Sequence, residues 1–220
     1  PLPHRIVTVG RHTAGLLASG GYETRDIRVG GALQMRAIVD HENRNVGKDS
    51  IQNGSTILIA TSVGREEASE AVDLAIRLFS EDQGVQVVLK CHPTLPFHEV
   101  SGWAGKKLPS HVQVSDEPIA TLMLKCSVMV YTGSAVCIQA MALGLPMIHL
   151  RPTFDFDMDP LEASTDARLE AKGLEQLREQ VTWLLKHRDI YVAEHQVTWS
   201  RLVEEMYGQV TDESYLAFVE

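Results

Sequence analysis

Apolar residues in the middle of the chain fall into short runs that alternate with amphipathic segments. Runs of strand length occupy residues 56–62, 85–90, 111–114, 127–131 and 146–150. Segments with apolar side chains at helical spacing lie between them, at 65–80, 118–126 and 134–143. Strands without a polar face that alternate with helices are typical of a parallel sheet covered on both sides. The pattern therefore predicts an α/β fold with a doubly wound, Rossmann-like parallel sheet.

The two ends of the chain have a different organisation. Near the start, residues 5–9 and 26–30 are predicted to be short strands on either side of a helix at 11–19. At the other end, helices at 174–188 and 191–207 are predicted to close the chain.

A polar stretch separates the first segment from the regular pattern. Residues 36–54 are predominantly polar and end in Asn53-Gly54, a turn signal, which is the composition of a linker. We therefore expect residues 1–35 to be the end of an N-terminal domain. Residues 55–220 are expected to form a C-terminal domain that includes the closing helices.

Composition and charge favour a folded globular protein and argue against a nucleic-acid-binding or membrane-spanning one. Of the 220 residues, 44% are hydrophobic, which suits a folded globular chain. The formal net charge is −9 and the 20 Lys and Arg residues are dispersed, so no nucleic-acid partner is expected. No apolar run reaches the ~20 residues of a membrane span. The spacing of Cys91, Cys126 and Cys137 fits no metal site and favours reduced, buried thiols in a cytoplasmic protein.

Candidate chemistry lies where the predicted strands end, because ligands of open parallel sheets bind beyond the carboxyl ends of the strands. Gly64 and Arg65 follow the first strand of the regular pattern and open a helix, where backbone N–H groups could hold an anion. The alternative is that Ser62 or Gly64 simply caps the helix.

A lysine and a histidine mark the end of the next strand. Lys90 closes it, and Pro93 stops it and orients His92 at the edge of the sheet. An imidazole in that position can donate a hydrogen bond to a phosphate or a ribose. The alternative is an ordinary loop histidine.

A small polar turn follows the strand at 127–131. It consists of Thr132, Gly133, Ser134 and Ala135, and it opens the helix that carries Gln139. Hydroxyl groups at a helix N-terminus are suited to phosphate oxygens, and a capping role for Ser134 is compatible with this. The turn matches neither the P-loop, nor the dinucleotide fingerprint, nor the nucleophile elbow of serine hydrolases.

An acidic loop follows the last predicted strand. Asp155, Asp157 and Asp159 alternate there, but the Gly and the Glu of an EF-hand are missing. The histidines show no metal-binding spacing either. The sequence therefore predicts a solvated loop, and neither a metal nor another cofactor.

The order of these motifs resembles that of the C-terminal domain of GT-B fold glycosyltransferases, in particular bacterial surface- and capsular-polysaccharide enzymes. The motifs are a small loop before a helix, Lys-x-His-Pro, Asp-Glu, Thr-Gly-Ser before a helix, and Gly-Leu-Pro before the last strand. The order is similar, more loosely, to that of sugar-nucleotide 2-epimerases and teichoic-acid polymerases. The resemblance covers nearly the whole chain, and residues 3–33 resemble the end of the first domain of these enzymes.

The resemblance implies roles for the residues at the strand ends. His92 and Pro93 look like the motif that contacts the phosphate and ribose of the donor, and His92 is the candidate catalytic residue. The residues expected to bind the donor are Gly64, Arg65, Lys90, His92, Pro93, Thr132, Gly133, Ser134, Ala135 and Gln139. Gln139 lies in the region where retaining members commonly carry a Glu, so the stereochemistry of transfer stays open.

The implied activity is metal-independent transfer of a sugar from a CMP- or UDP-activated donor to a surface-polysaccharide or glycan acceptor. The acceptor and the base that activates it would be held by the N-terminal domain, so this chain is not expected to turn over alone. Alternatives are a nucleotide-sugar 2-epimerase, with Asp116, Glu117 and the loop aspartates as its acids, and a non-catalytic α/β binding domain. We expect a cytoplasmic location, with a peripheral position at the inner membrane left open.

Overall fold

A computed structural model describes residues 3–33, 35, 55–79, 84–100, 106–153 and 157–218. The predicted linker at 36–54 lies outside the described residues, as do Ser80 and Asp155. The chain forms two compact units, one made of Pro1–Gly47 with Val197–Glu220 and the other of Lys48–Gln196. No helix among the described residues is long and apolar enough to cross a membrane.

The first unit contains a small β-α-β motif. Strands β1 (Ile6–Thr8) and β2 (Ile27–Val29) pair in parallel, and helix α1 (Arg11–Ser19) connects them. A turn of 3₁₀-helix at Thr24–Asp26 precedes β2. The three elements lie where the hydrophobic pattern predicts them. Whether this unit is the end of an acceptor-binding domain stays a prediction.

Six strands form an all-parallel sheet in the second unit. They are β3 (Ser55–Ala60), β4 (Val85–Lys90), β5 (Val112–Val114), β6 (Val128–Tyr131), β7 (Met147–Leu150) and β8 (Leu169–Ala171). Their order across the sheet is β5-β4-β3-β6-β7-β8, so the direction of winding reverses between β3 and β6. This order defines a doubly wound, Rossmann-like domain and confirms the predicted fold class.

Helices connect the strands of this sheet. They are α2 (Arg65–Leu78), α3 (Ile119–Met123) and α4 (Val136–Ala142). The last two are shorter than the sequence predicts. Helix α4 stops where Gly144 adopts φ +61°, a left-handed conformation that glycine tolerates best, as the pattern predicts.

A long helix, α5 (Gly173–Met206), leads from the second unit into the first. Its helical geometry breaks at His187, where φ is −122° and ψ is 19°. The sequence predicts two helices in this region, and the break lies close to the predicted gap between them. A short helix, α6 (Asp212–Leu216), follows.

Strand β8 is absent from the sequence-based prediction, which has five strands in this sheet. It contains three residues and pairs with β7 alone. The charged residues Arg168 and Glu170 interrupt the apolar pattern here, so no run of apolar residues marks the strand. The loop before it contains a 3₁₀ segment at Glu162–Ala167.

The core of the second unit is built on the central strands. All four residues of β6 and of β7 are buried, as is the second half of β3. Strands covered on both faces have no side on which water could solvate a polar residue. This explains why the runs that identify these strands are continuous and not alternating.

Ile59→Ala is expected to lower the free energy of unfolding of the second unit by about 2–5 kcal/mol, because the removed atoms leave a cavity in the core. Ile59 is 1% exposed in β3, whereas Val63 just beyond the strand is 56% exposed. Val63→Ala is the control and should cost less than about 0.5 kcal/mol. Urea unfolding followed by circular dichroism measures both, and equal costs would contradict the central position of β3.

Candidate functional site

The carboxyl edge of the six-stranded sheet is the place where a ligand site is expected. All strands are parallel, so every strand ends at this edge. The turns after β3 and β6 lead to opposite faces of the sheet, because the winding reverses between these two strands, and in doubly wound sheets the ligand crevice lies between two such turns.

A buried hydrogen bond joins the two turns that flank this crevice. The backbone N–H of Ser62 donates to the hydroxyl oxygen of Thr132 at 3.0 Å. Both residues are buried. Thr132 therefore ties together two turns that are 70 residues apart in the chain.

The turn after β6 is narrow. A Cβ atom at Gly133 would lie 2.6 Å from the Cβ atom of Met158, so only glycine fits here without a shift of the backbone. Ser134 is half-buried, and its hydroxyl oxygen accepts a long hydrogen bond, 3.5 Å, from the Val136 amide. Ala135 is exposed at the start of α4, and the half-buried Gln139 lies one turn further along.

The turn after β4 presents His92 with a defined ring orientation. The Thr94 amide donates to Nδ1 of His92 at 3.2 Å, and the Thr94 hydroxyl lies 2.8 Å from the same atom. In the neutral ring, Nε2 then carries the proton and is the donor. Pro93 forms the turn, in which the Leu95 amide donates to the His92 carbonyl at 2.9 Å. Lys90 ends the strand, and its carbonyl accepts from the Thr61 amide at 3.1 Å.

The turn after β3 contains a carboxylate that the sequence reasoning missed. Glu67, in the first turn of α2, is buried and accepts a short hydrogen bond from the Ser62 hydroxyl. A Cβ atom at Gly64 would lie 2.9 Å from this carboxylate. Glu67 places negative charge at the positive end of the α2 dipole, so this N-terminus is less suited to an anion than its sequence indicates.

Arg65 is engaged by an acidic residue of the loop that follows β4. Its guanidinium faces the Glu99 carboxylate at 3.5 Å and the Glu99 carbonyl at 3.3 Å. The side chain is largely exposed, and an ion pair of this kind contributes little to stability. Arg65 could therefore leave Glu99 for an anionic ligand at a small cost.

The acidic loop after β7 is not solvated at its end, and the expectation of a solvated loop is wrong there. The side chain of Asp159 is 1% exposed and pairs with Arg168, whose Nε and Nη2 atoms lie 2.6 and 2.5 Å from Oδ2. The Tyr131 hydroxyl donates to Oδ1 at 2.8 Å. Burial raises the pKa of this hydroxyl, and the Asp159 carboxylate raises it further.

His149 lies beside this network and is completely buried. Its Nε2 is 3.3 Å from Asp157 Oδ1, and its Nδ1 is 3.7 Å from Asp159 Oδ2. Neither ring nitrogen makes a hydrogen bond of good geometry within the described part of the chain. Burial lowers the pKa of His149, although the two carboxylates act in the opposite direction.

The remaining candidate acids and thiols differ in their surroundings. Glu117 pairs with Lys125 at 2.5 Å, and Asp116 is exposed next to it. The three cysteines are buried and unpaired, as predicted, and burial raises the pKa of Cys126 to about 12. Across the described ranges, no group of three or more His, Cys, Asp or Glu side chains is arranged to hold a metal ion.

Comparison with known proteins finds likeness in structure and none in sequence. No protein-family model matches the chain, and no curated protein is significantly similar to it. The structure of Staphylococcus aureus MnaA with UDP has a TM-score of 0.60 at 15% identity, over 99% of this chain and 60% of that one. The UDP-GlcNAc 2-epimerase from Neisseria meningitidis bound to UDP-GlcNAc has a TM-score of 0.59 at 16% identity, over 98% and 60%. A glycosyltransferase from Rickettsia africae has a TM-score of 0.62 at 12% identity, over 97% and 62%.

These likenesses concern the fold, since all three identities are very low. They show that the chain has the GT-B-like fold of these proteins, which confirms the resemblance seen in the order of the motifs. The chain spans about three fifths of the length of each of these proteins. These likenesses therefore do not assign an activity to the whole protein.

Acidification is expected to destabilise the protein through His149. The folded state lowers the pKa of this residue from 6.5, so below that pH the unfolded chain binds a proton that the folded state rejects. Stability is therefore lost as the pH falls through 6.5. His149→Phe should make the free energy of unfolding less dependent on pH in this window. Urea unfolding between pH 5 and 8 tests this.

The control for this measurement is His98→Gln, because His98 is an exposed histidine of the same unit. Its variant should follow the wild-type pH dependence. If His149→Phe keeps the wild-type slope as well, the proton taken up on unfolding belongs to another group.

Proposed function

We propose that this chain is the donor-binding part of a glycosyltransferase that uses a CMP- or UDP-activated sugar. The observation that carries the proposal is the reversal of winding between β3 and β6, where the hydrogen bond from the Ser62 amide to the Thr132 hydroxyl joins the two turns. Ligands of doubly wound sheets bind at such a switch point. Met158 packs against Gly133, so the phosphate is placed beside Ser134 and Ala135, which are half-buried and exposed.

Hydrogen-bond donors of two kinds are available for the phosphate oxygens. Ser134 offers a hydroxyl proton, and His92 offers Nε2–H because Thr94 occupies its Nδ1, whereas the buried Thr132 positions the turn. Lys90 adds a positive charge at the end of β4. We assign to these groups the stabilisation of the negative charge that develops on the leaving nucleotide during transfer.

Gln139 and Arg65 have more distant roles in this proposal. Gln139 on α4 can donate to hydroxyl groups of the ribose or the sugar, but it carries no charge. Arg65 reaches the donor only by leaving Glu99. The helix N-terminus next to Arg65 is partly neutralised by Glu67, so the turn after β6 is the principal phosphate site and the turn after β3 a supporting one.

The rest of the reaction is assigned by resemblance. A glycan acceptor, and the base that removes the proton from its hydroxyl, belong to the N-terminal domain in this proposal. A surface polysaccharide is the acceptor class, and a cytoplasmic location goes with a nucleotide-sugar donor. The chain binds donor through the second unit and is not expected to transfer sugar by itself.

His92→Ala is expected to weaken the binding of UDP or CMP about tenfold, which corresponds to the loss of one hydrogen bond to a charged group. Ser134→Ala should have an effect of similar size. Isothermal titration of the 220-residue chain measures both. The matched control is His98→Ala, because His98 follows the same strand but is exposed, with its Nε2 3.8 Å from a carboxylate oxygen of Glu99.

The outcomes separate clearly. Affinity that falls in His92→Ala and Ser134→Ala but not in His98→Ala supports the proposed site. Absence of heat with UDP, CMP and their sugar conjugates would remove the proposal and favour a non-catalytic α/β domain.

Nucleotide binding is expected to be independent of divalent metal, because the proposed site neutralises phosphate with protein donors alone. The affinity for UDP or CMP should be the same in excess EDTA and in excess MgCl₂. A strong requirement for Mg²⁺ in the titration would show that this assignment of charge is wrong.

An epimerase is the second candidate, because UDP-GlcNAc 2-epimerases are among the structures with the same fold. Two of its candidate acids are engaged elsewhere: Asp159 is bound to Arg168 and Tyr131, and Glu117 to Lys125. Incubation of the protein with UDP-GlcNAc in D₂O distinguishes the candidates. Our proposal expects no deuterium at C2, and deuterium at C2 would favour the epimerase.

A further inference from the structure

The Asp159 carboxylate has a full set of hydrogen-bond donors within the protein, unlike a carboxylate in a solvated surface loop. Oδ1 accepts hydrogen bonds from the Tyr131 hydroxyl at 2.8 Å and from the Leu161 amide at 3.1 Å. Oδ2 accepts from Nε of Arg168 at 2.6 Å and pairs with its Nη2 at 2.5 Å. Both oxygens of the carboxylate therefore have two donors each, and its orientation is determined.

The ion pair of Asp159 and Arg168 is also buried on both sides. The two side chains are 1% and 3% exposed. A charge of this kind is tolerated in a protein interior only while its partner stays in place, because water cannot replace the partner. The backbone of residues 157–159 is therefore anchored at Asp159, and the Asp159 amide is held by the Asp157 carboxylate at 3.0 Å as well.

This anchored loop contacts the turn after β6 at two points. Tyr131, which donates to Asp159, is the last residue of β6 and directly precedes Thr132. Met158, which directly precedes Asp159, lies so close to Gly133 that a Cβ atom there would be 2.6 Å from the Met158 Cβ. The two contacts are made by the residues on either side of Thr132 in the chain. The hydroxyl oxygen of Thr132 accepts a hydrogen bond from the Ser62 amide.

Met158 is unusual in another respect, because 54% of its surface is exposed although it is a large apolar residue. Leaving such a side chain in water forgoes hydrophobic stabilisation. Its backbone and Cβ atoms nevertheless pack on the glycine of the small polar turn. The position of Met158 is thus set by the buried carboxylate next to it and not by the burial of its own side chain.

We propose that Asp159 is a positioning residue for the crevice: through Tyr131 and Arg168 it holds Met158 against Gly133 and keeps residues 132–134 in the shape that accepts a phosphate. Asp159 itself is buried and touches no ligand. The identity of the ligand rests on the proposed function, whereas the control of the turn by Asp159 does not.

The test uses Tyr131→Phe, which removes one hydroxyl group and preserves the buried ring. In the free protein, we expect the ¹³C-methyl signal of Met158, assigned through Met158→Leu, and the ¹⁵N amide signal of Gly133 to shift or broaden together. In titrations with UDP, we expect affinity to fall by up to about tenfold, because the energy of the lost hydrogen bond to Asp159 is the most that the change in the turn can cost.

Val85→Ala is the matched control. Val85 is a buried residue at the first position of β4, at the opposite end of the sheet from the crevice. Its substitution should lower Tm without moving the Met158 and Gly133 signals or changing the affinity for UDP. If the Tyr131 hydroxyl only stabilises the fold, Tyr131→Phe should behave in the same way, with a lower Tm, unmoved Met158 and Gly133 signals and unchanged affinity for UDP.

The spectra of the free protein test the role of Asp159 whether or not a nucleotide binds. Unchanged Met158 and Gly133 signals in Tyr131→Phe overturn it, even if Tm falls. Shifted signals support it, and a matching loss of UDP affinity completes the support. If the wild type binds neither UDP nor CMP, the proposed function fails, while the spectra of the free protein still decide the role of Asp159.

Discussion

The parallel direction of all six strands in the second unit is the constraint on which the rest of the structure depends. It brings every strand end to one edge of the sheet, and it places the reversal of winding, where ligands of doubly wound sheets bind, between β3 and β6. The hydrogen bond from the Ser62 amide to the Thr132 hydroxyl then fixes the spacing of the two central turns. Small residues follow β6 because a larger side chain at Gly133 would collide with Met158.

Buried charge is concentrated next to this edge. Glu67 is buried against Ser62 at the start of α2, and Asp159 is buried between Tyr131 and Arg168. Glu67 accepts the hydrogen bond of the Ser62 hydroxyl, and Asp159 accepts those of Tyr131 and Arg168. Buried polar groups of this kind are stable only with complete sets of partners, so they restrict the conformations of the turns beside them. His149 is the exception, since carboxylates surround it without a well-formed hydrogen bond in the described residues.

Much of the fold could be predicted from the hydrophobic pattern, since strands buried on both faces leave continuous apolar runs. Strand β8 could not, because it is a three-residue edge strand with Glu170 at its centre. The candidate site was predicted in outline: a parallel sheet must place Lys90, His92 and Thr132 at one edge. The residues that support the site were missed, because Asp159 and Arg168 pair through space and no sequence periodicity marks such a pair.

The sequence by itself determined the order of strands and helices, the fold class, and the strand ends at which chemistry is to be sought. Apolar periodicity and turn residues are local properties, so they can be read one segment at a time. The tertiary structure decided which polar groups are free and which are engaged. Arg65 pairs with Glu99, and Glu67 is buried in the first turn of α2 against the Ser62 hydroxyl. The acidic loop, which the sequence predicts to be solvated, contains the buried carboxylate of Asp159. These outcomes depend on contacts between distant segments and on the exclusion of water, which exist only once the chain has folded.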